Sequence, residues 1–529
     1  MDQAMNEKAT GWSAADAGTA VNVERHLLLA AKGSSITFAG QMFVYGSRFV
    51  IALVLARLLA AGQYGLYNLG LTAVELFTRL ASLGLATALV RYIPHFASRR
   101  DESGIGGTIQ FSLGLTTLFS IGLGIALYAL AEPIAVQLFN KPPLAPLLRM
   151  VSVFVPIFNL SDMASAATRG FKNMKYTVIA QNIAQPLIRL ALILMLWTVA
   201  VEMSARWALL ASGLTEIVVA GLLLFFLNKQ FSLRRAFRSG RREVGTLLRF
   251  SLPVYSSNMI SRLSGNLRTL LLGATSVAAN VGIFSVASQL TLLGDMFHSS
   301  IVAVSQPIVS ELHSRGARRE LARFYQTMTK WSVTINLPLF LVLMLFPGPL
   351  LSIFGQSFVQ GAEVLGLMAW GGLIDIATGV CGVVLDMTDN TRLKLLNTVV
   401  TVGVTASLSI WLIPTWGLMG AAVSMLAAGI ITNLLRLIEV FILFRMLPYN
   451  PDFIKPVLAG VASIGAALAV SRVFPPDLDL AGVVNTGVSI SAMCVTYAGM
   501  IWLLRLSPED SAILARIRQR LGGRGSKAE

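Results

Sequence analysis

Long apolar runs with almost no charge constrain the fold of this chain more than any other feature. Clear examples lie at 49–61, 190–200, 217–227, 337–346 and 399–413. With their flanks, these runs reach the roughly 20 residues that a helix needs to cross about 30 Å of hydrocarbon. Only 13% of the 529 residues are charged and 55% are hydrophobic, so there is too little polar surface to cover a soluble core. These numbers exclude soluble, DNA-binding and disordered proteins.

Windows of about 20 residues predict fourteen membrane spans and therefore an all-α polytopic membrane protein. We number the spans 1 to 14, at 36–60, 65–90, 107–131, 147–168, 178–200, 207–228, 249–273, 280–308, 328–348, 362–387, 396–414, 418–444, 454–472 and 482–504. With both termini cytoplasmic, the chain divides into an N-terminal segment (1–33), an N-lobe of spans 1–6 (34–228), a basic cytoplasmic linker (229–248), a C-lobe of spans 7–12 (249–446), spans 13–14 (447–505) and a basic tail (506–529). Hydropathy supports spans 7 and 8 least.

The distribution of basic residues supports this topology. The formal net charge of +16 suggests, by itself, a nucleic acid or an anionic surface as partner. In the predicted topology, however, 31 of the 42 Lys and Arg residues lie on the cytoplasmic side, as the positive-inside rule requires. The basic excess therefore orients the chain in a membrane and gives no indication of nucleic-acid binding. Five arginines remain within spans, namely Arg48, Arg79, Arg189, Arg262 and Arg436.

An internal repeat predicts two similar halves. The segment AAGQYGLY at 60–67 is similar in pattern to VAANVGIF at 277–284, some 217 residues later, and PIAVQLF at 133–139 is similar to PLLSIF at 349–354. Six spans separate the copies, and six is even, so both halves keep the same orientation in the membrane. We therefore expect two parallel six-helix lobes related by an axis along the membrane normal, with spans 13 and 14 appended. Chance similarity between apolar strings is the alternative.

Polar residues in spans 1 and 2 follow helical spacing. A charge at the centre of a span costs about 2.5–3.5 kcal/mol, so it should face a polar cavity or a partner. The members that share a face are Asn68, Thr72, Glu75, Arg79 and Ser82 in span 2, and Gln41, Tyr45 and Arg48 in span 1. Glu75 and Arg79 either line a cavity or neutralise each other between helices. Arg57 lies near the outer end of span 1, where snorkelling also explains it.

The same pattern recurs in spans 5, 7 and 8. Span 5 carries Asn182, Gln185 and Arg189 around Pro186, span 7 carries Asn258, Arg262 and Asn266 with Arg268 off the stripe, and span 8 carries Asp295 and His298. Asp295 and His298 either titrate during a transport cycle or serve as hydrogen-bonded anchors. Clustered arginines bind phosphate through bidentate bonds, so such a cavity suits an anionic, phosphorylated solute.

The sequence lacks the motifs of common catalytic and metal sites. It contains no G-x-x-x-x-G-K-[ST] loop and no H-E-x-x-H pattern, and its four histidines are scattered. Cys381 and Cys494 both fall inside spans, where we expect packed thiols rather than a disulfide. The longest outer segment, 132–146, is too short for a catalytic domain. We expect neither an enzyme nor a cofactor or metal site.

Four segments resemble one family of transporters. They are ARLL with QYGLY at 56–67, LGLATALVR at 83–91, VGIFSVA at 281–287 and GLMGAA at 417–422. In this order they are similar to the bacterial polysaccharide and O-antigen flippases, the Wzx-type branch of the MOP superfamily. The resemblance covers roughly 34–446, and spans 13 and 14 are a common extension in that family.

The resemblance implies a bacterial inner-membrane flippase. It implies two lobes around a cationic cavity lined mainly by spans 1, 2, 7 and 8, and alternating access of the lobes. The implied substrate is an undecaprenyl-diphosphate-linked oligosaccharide, moved from the cytoplasmic to the periplasmic leaflet for exopolysaccharide, capsule or O-antigen synthesis. A polymerase and a chain-length regulator of the same pathway would be partners. The acidic Glu75 departs from a purely basic lining, and Glu75 and Asp295 are candidates for proton or sodium coupling.

Two classes of protein compete with this interpretation. A lipid II flippase or a multidrug exporter would belong to the same superfamily, although drug export favours an acidic or aromatic cavity over arginine stripes. A membrane-embedded glycan polymerase or ligase would need a large outer loop with catalytic residues, and the predicted topology provides none. The identity of the neighbouring genes would discriminate between these alternatives, since glycosyltransferase and polymerase genes there would settle the pathway.

Overall fold

The computed structural model describes the backbone of residues 2–200, 202–232, 234, 244–388, 391–476 and 480–504. Side chains are described in these ranges except at 2–41, 244, 254, 256–258, 260–264, 391, 392, 394, 480 and 481. The described residues are almost entirely helical and form no strand, which confirms the all-α prediction.

All fourteen predicted spans lie on helices. The number in parentheses after each helix is that of the span it contains. The helices are Asp2–Ser82 (spans 1 and 2), Glu102–Ala129 (3), Leu144–Ser152 with Val155–Gly170 (4), Met174–Val199 (5), Ala205–Gln230 (6), Val244–Thr275 (7), Ala278–Ser314 (8), Arg318–Leu345 (9), Ala362–Thr378 with Cys381–Asp386 (10), Thr391–Phe444 (11 and 12), Ile454–Val473 (13) and Leu480–Leu503 (14).

Nine helices in the described part of the chain are long and apolar enough to cross a membrane, or ten when the two bent helices of span 4 count as one. Two of them, Met42–Ser82 with 41 residues and Leu395–Phe444 with 50, are each long enough for two crossings at about 1.5 Å per residue. Among the described residues, the helices of spans 7 and 8 are not in this set, consistent with their polar stripes. The count of fourteen and the side of each terminus stay predictions.

Residues with left-handed backbone angles divide the long helices. Ala60 (φ 53°) separates span 1 from span 2, and Gly417 (φ 55°) separates span 11 from span 12. Span 2 ends earlier than predicted, because Leu83 (φ 47°) and Gly84 (φ 72°) interrupt the helix after Ser82. The rest of the predicted span belongs to a second helix, Leu85–Ser98. Hydropathy missed this break because the apolar run continues through it.

The two copies of the internal repeat lie against each other. Gly65 packs on the backbone of Ala278, and Gly282 packs on the backbone of Ala61. A methyl group on either glycine would overlap the facing carbonyl oxygen, so only glycine permits this approach. Ala61 and Gly65 of the first copy correspond to Ala278 and Gly282 of the second. Each copy thus contributes the same two positions to the contact, as a twofold relation between the lobes requires. This pairing of equivalent positions agrees with the predicted repeat, and we call this contact the glycine crossing.

Two cations of the N-lobe bind carbonyl groups of the C-lobe beside the glycine crossing. Arg57 donates from Nε to the Ile353 carbonyl at 2.5 Å and from Nη2 to the Ser352 carbonyl at 3.3 Å. Lys141 donates from Nζ to the Ser276 carbonyl at 2.6 Å and to that of Gly273. These acceptors lie at helix C-termini, where carbonyls lack helical partners and a cation is favoured. We call these contacts the outer bonds, since the predicted topology places them on the periplasmic side.

Spans 13 and 14 pack against the C-lobe along span 9. Gly460 of span 13 lies against Leu337, and the hydroxyl of Tyr497 in span 14 donates to the carbonyl of Thr334 at 3.0 Å. Met493 and Tyr497 are buried in the same apolar cluster as Leu337. The two appended helices therefore cover an outer face of the C-lobe.

Candidate functional site

The N-lobe contains a cavity of about 620 Å³. This volume lies within the usual range of ligand-binding pockets, about 300–1,000 Å³. Its polar lining is formed by Ser47, Arg48, Tyr64, Tyr67, Asn68, Glu75, Thr78, Arg79, Asp162, Gln181, Asn182, Gln185, Arg189, Glu216 and Gln289. Of the spans that the resemblance implied, spans 1 and 2 line the cavity and span 8 contributes Gln289. Spans 4, 5 and 6 supply the remaining walls.

The predicted stripes of spans 1 and 2 converge in this cavity. Arg48, Glu75 and Arg79 all line it, because helical spacing turns each of them to the same side of its span. Glu75 interacts electrostatically with Arg79, Arg189 and Arg48. The carboxylate therefore lies among three guanidinium groups that are separated by up to 141 positions in the sequence.

Span 5 reaches the cavity through an irregular turn. The segment Val178–Ala184 is a π-helical turn that ends directly before Gln185 and Pro186. Such turns relieve the misfit of a proline in a helix and are frequent at functional sites. The turn and the helix after it present Gln181, Asn182, Gln185 and Arg189 to the cavity. Within the described residues, the buried Nε of Arg189 has no hydrogen-bond partner.

Two carboxylates of the cavity come from spans that the sequence did not single out. Asp162 of span 4 forms an ion pair with Arg79, with 3.4 Å between Oδ2 and Nη1. Glu216 of span 6 is 3% exposed and accepts a hydrogen bond from Gln185 at 2.7 Å. Each is a single acid in an otherwise apolar span, and that rarity was the available signal. Neither acid lies on a polar stripe, and the sequence left a local structural role open for both.

The described charges of the cavity balance. Arg48, Arg79 and Arg189 are matched by Glu75, Asp162 and Glu216. The resemblance implied a cationic lining, and the described walls are instead mixed in sign. Opposite charges this close stabilise each other in a low-dielectric interior, which allows three arginines to lie inside the membrane.

The other predicted residues lie outside this cavity or outside the described side chains. Arg57 makes the outer bonds, Tyr45 is half-buried on span 1, and Asn266 and Arg268 are half-buried on span 7. The Nε of Arg268 has no hydrogen-bond partner within the described residues. Gln41, Asn258 and Arg262 fall among the side chains that are not described, so their contribution to a cavity stays a prediction.

Asp295 and His298 lie in a polar cluster inside the C-lobe. His298 Nδ1 shares a hydrogen bond with the hydroxyl of Ser332 at 2.6 Å, and Asp295 interacts electrostatically with Asp375 of span 10. Asn433 of span 12 donates to Asp375 at 3.0 Å. These side chains connect spans 8, 9, 10 and 12. The cluster is compatible with both roles proposed from the sequence, titration and structural anchoring.

The described residues contain no group of three or more His, Cys, Asp or Glu side chains placed to hold a metal ion. The charged groups of the cavity are arginines, carboxylates and amides. Such a set binds ionic and polar solutes through hydrogen bonds and charge.

Family comparisons agree with the sequence resemblance. Residues 30–313 match the sequence model of a family described as polysaccharide biosynthesis protein, and residues 253–412 match a second family, MatE. The first match covers the whole N-lobe and spans 7 and 8. The second match lies within the C-lobe.

Curated relatives are similar over most or all of the membrane region. Stage V sporulation protein B of Bacillus subtilis (strain 168) is 24% identical over 512 residues, 90% of this chain and 96% of the relative. The succinoglycan biosynthesis transport protein ExoT of Rhizobium meliloti (strain 1021) is 23% identical over 61% of this chain and 62% of its own length. The lipopolysaccharide biosynthesis protein WzxC of Escherichia coli (strain K12) is 24% identical over 65% and 66%.

Solved structures show the same fold. The lipid II flippase MurJ, in an inward closed conformation, superposes with a TM-score of 0.70 at 12% identity, over 89% of this chain and 98% of that one. A multidrug resistance MATE family transporter of the MOP superfamily, facing inward, gives a TM-score of 0.61 at 16% identity, over 77% and 94%. The fold is therefore that of the two-lobed MOP transporters.

Proposed function

The chain belongs to the polysaccharide biosynthesis protein family, and we propose that it flips an undecaprenyl-diphosphate-linked oligosaccharide repeat unit from the cytoplasmic to the periplasmic leaflet. It is a multi-pass membrane protein with the fold of MOP-superfamily transporters. Relatives named for succinoglycan transport and lipopolysaccharide biosynthesis support a glycan as cargo. The proposed location is the bacterial inner membrane, with a polymerase and a chain-length regulator acting after the flippase.

The observation that carries this proposal is the convergence of Arg48, Arg79 and Arg189 on one cavity. A diphosphate diester carries two negative charges and several acceptor oxygens, which match the planar donor edge of a guanidinium. The amides of Gln181, Asn182 and Gln289 line the same space and offer both donors and acceptors to sugar hydroxyls. The cavity thus combines groups for an anionic head and a polar glycan.

The proposed mechanism is alternating access of the two lobes. The diphosphate binds the arginines while the glycan occupies the cavity and the prenyl tail stays in lipid. Separation at the glycine crossing and the outer bonds would then open the cavity to the periplasmic side. Transport would be coupled to a proton or sodium gradient through Glu75 and Asp295, which lie in the N-lobe cavity and the C-lobe cluster respectively.

A complementation experiment tests the function. A deletion strain should accumulate lipid-linked oligosaccharide that an impermeant glycosidase cannot reach from outside, and the wild-type gene should restore export. Arg79→Ala and Arg189→Ala should each abolish export at normal membrane levels, because each removes a guanidinium from the cavity. Arg472→Ala, which removes an exposed arginine at the end of span 13, is the matched control and should export normally. Wild-type export by both cavity variants would refute the site.

A second candidate is export of a cationic drug, or of lipid II, by the same two lobes. Glu75, Asp162 and Glu216 give the described cavity as many acids as arginines. Because carboxylates attract cations, this balance also suits a cationic solute. Expression in a drug-sensitive strain tests drug export. Restored drug resistance together with unchanged glycan export in the deletion strain would replace the first proposal with this one.

A further inference from the structure

Asp162 and Arg79 meet inside the cavity in an ion pair that both solvent and solute can reach. Their closest atoms are 3.4 Å apart, and the side chains are 34% and 43% exposed respectively. Charge-assisted N–H···O bonds are usually about 2.7–2.9 Å long. The pair is therefore looser than a well-formed bond, and the guanidinium remains accessible to a third ion.

Glu216 is held very differently in the same cavity. It is 3% exposed, and Gln185 binds its Oε2 at 2.7 Å, so this carboxylate is part of the wall. Asp162 instead stands at the cavity surface beside an arginine of the predicted stripe. Glu75, the third acid, is shared among Arg79, Arg189 and Arg48, and Asp162 also interacts with Arg169. Asp162 is in direct ion-pair contact with Arg79, at the point where an entering anion would bind.

The empty and the loaded cavity place opposite demands on Arg79. Without a ligand, a cation inside the membrane needs a counter-ion, since an uncompensated buried charge is costly. With a diphosphate bound, the phosphate oxygens need the same donor edge of the guanidinium. The attraction between Arg79 and Asp162 is then lost, and its free energy is subtracted from the affinity for the ligand.

We propose that Asp162 is a displaceable counter-ion that lowers the affinity of the cavity for the diphosphate group and speeds release of the substrate. The inference rests on the proposed function, because it concerns the same diphosphate at Arg79. A carrier must release what it binds, so an internal anion that returns to Arg79 makes dissociation easier. Asp162 thus lowers the affinity for the substrate and raises the rate of its release.

The test uses the full-length protein in lipid nanodiscs with undecaprenyl diphosphate as the probe. Asp162→Asn keeps the shape of the side chain and removes its charge, so we expect binding about fivefold tighter than in wild type, the scale of an accessible ion pair. Export by the same variant in cells should be slower and should saturate at lower substrate levels. Asp162→Glu, which restores the charge, should return both values towards wild type.

A matched control removes an ion pair elsewhere in the N-lobe. Glu132 pairs with Arg149 at 2.8 Å, outside the cavity lining, and Glu132→Gln should leave probe affinity unchanged. Unchanged or weaker binding by Asp162→Asn would overturn the inference. Equal tightening by Glu216→Gln would overturn it too, because removing any acid of the cavity reduces the repulsion of an anion, whereas a counter-ion role requires the larger effect at Asp162. Asp162→Ser gives the same comparison if the Asn variant is not recovered from membranes.

Arg79→Ala separates failure of this inference from failure of the proposed function. If Arg79→Ala weakens binding while Asp162→Asn does not tighten it, the diphosphate site stands and the counter-ion role is wrong. If Arg79→Ala binds the probe as wild type does, the proposed site is wrong and the inference falls with it. Tighter binding by Asp162→Asn together with weaker binding by Arg79→Ala supports both.

Discussion

The two lobes share one helical arrangement, but their described side chains occupy the interior differently. In the N-lobe, Arg79 and Glu75 face a cavity of about 620 Å³. In the C-lobe, polar side chains bond to one another, as His298 does with Ser332, and the ring of Phe340 fills the space against Gly294 and Gly372. The repeat therefore sets where the helices lie, whereas side-chain volume and polar pairing differ between the described parts of the two lobes.

The largest expected effect comes from removing the ring of Phe340, which packs between helices of the C-lobe. Phe340 is fully buried, so Phe340→Ala should lower the free energy of unfolding by about 3–5 kcal/mol through lost contacts and a new cavity. Thermal unfolding of the purified protein measures this loss. Phe225→Ala, at a side chain 63% exposed on span 6, is the control and should change little in detergent. Equal losses of stability in the two variants would contradict the tight packing around Phe340.

The glycine crossing offers a direct test of the equivalence of the lobes. Gly65→Ala and Gly282→Ala should each destabilise the protein by about 1–3 kcal/mol, because a methyl group overlaps the facing backbone. Gly62→Ala is the matched control, with open space around its Cβ position. It should be neutral or stabilising, by up to about 1 kcal/mol, as helical Gly→Ala changes are. Clearly different losses for Gly65 and Gly282 would break the twofold relation.

Paired amide variants compare polar groups in the two interiors. Asn433 in the C-lobe is 4% exposed and binds both Asp375 and Thr378, so Asn433→Ala should cost about 1–3 kcal/mol by leaving these partners unsatisfied. Asn182 is exposed to the N-lobe cavity, where water can replace it, and Asn182→Ala should cost much less. Thermal unfolding of both variants measures the two losses of stability. A larger loss for Asn182→Ala than for Asn433→Ala would contradict the comparison.

The smallest expected effect is a pH dependence at the outer bonds. Burial lowers the pKa of Lys141, so the unfolded chain holds this proton more tightly than the folded protein does. The free energy of unfolding should therefore rise as the pH increases towards the ordinary lysine value near 10.4. Unfolding of wild type and Lys141→Met across pH 8–10 isolates the contribution. A wild-type slope no steeper than that of Lys141→Met would contradict it.

The sequence predicts the helices and the repeat of this fold well, because both depend on local patterns. Apolar runs define where the spans lie, and the matched segments around the glycines at 65 and 282 define the repeat, although their contact was not predicted. The break at Leu83 and Gly84 was missed, since hydropathy does not sense backbone angles. The fourteen crossings and the sides of the termini go beyond what helix length and composition establish.

The candidate site was predictable only where polar residues form a stripe on one helix. Arg48, Glu75 and Arg79 follow helical spacing and all line the cavity, and Arg189 joins them through the π-helical turn. Asp162 and Glu216 carry no such pattern, because they act across helices that only the folded chain brings together. Asp295 lies on a similar stripe but interacts with Asp375 in the C-lobe cluster, because helical spacing predicts a face and not the neighbour that the face meets.

The glycine crossing has a consequence for the rate at which the lobes separate. Backbone meets backbone only at the two glycines, and rings of both lobes pack edge to face around them: Phe49 against Phe354 and Tyr64 against Phe358, with ring centroids 5.5 and 6.0 Å apart. Separation must therefore break these dispersion contacts as well as the bonds of Arg57 and Lys141 to helix carbonyls. A contact that permits only glycine thus brings the helices close enough for the surrounding rings to interlock, which raises the barrier to opening.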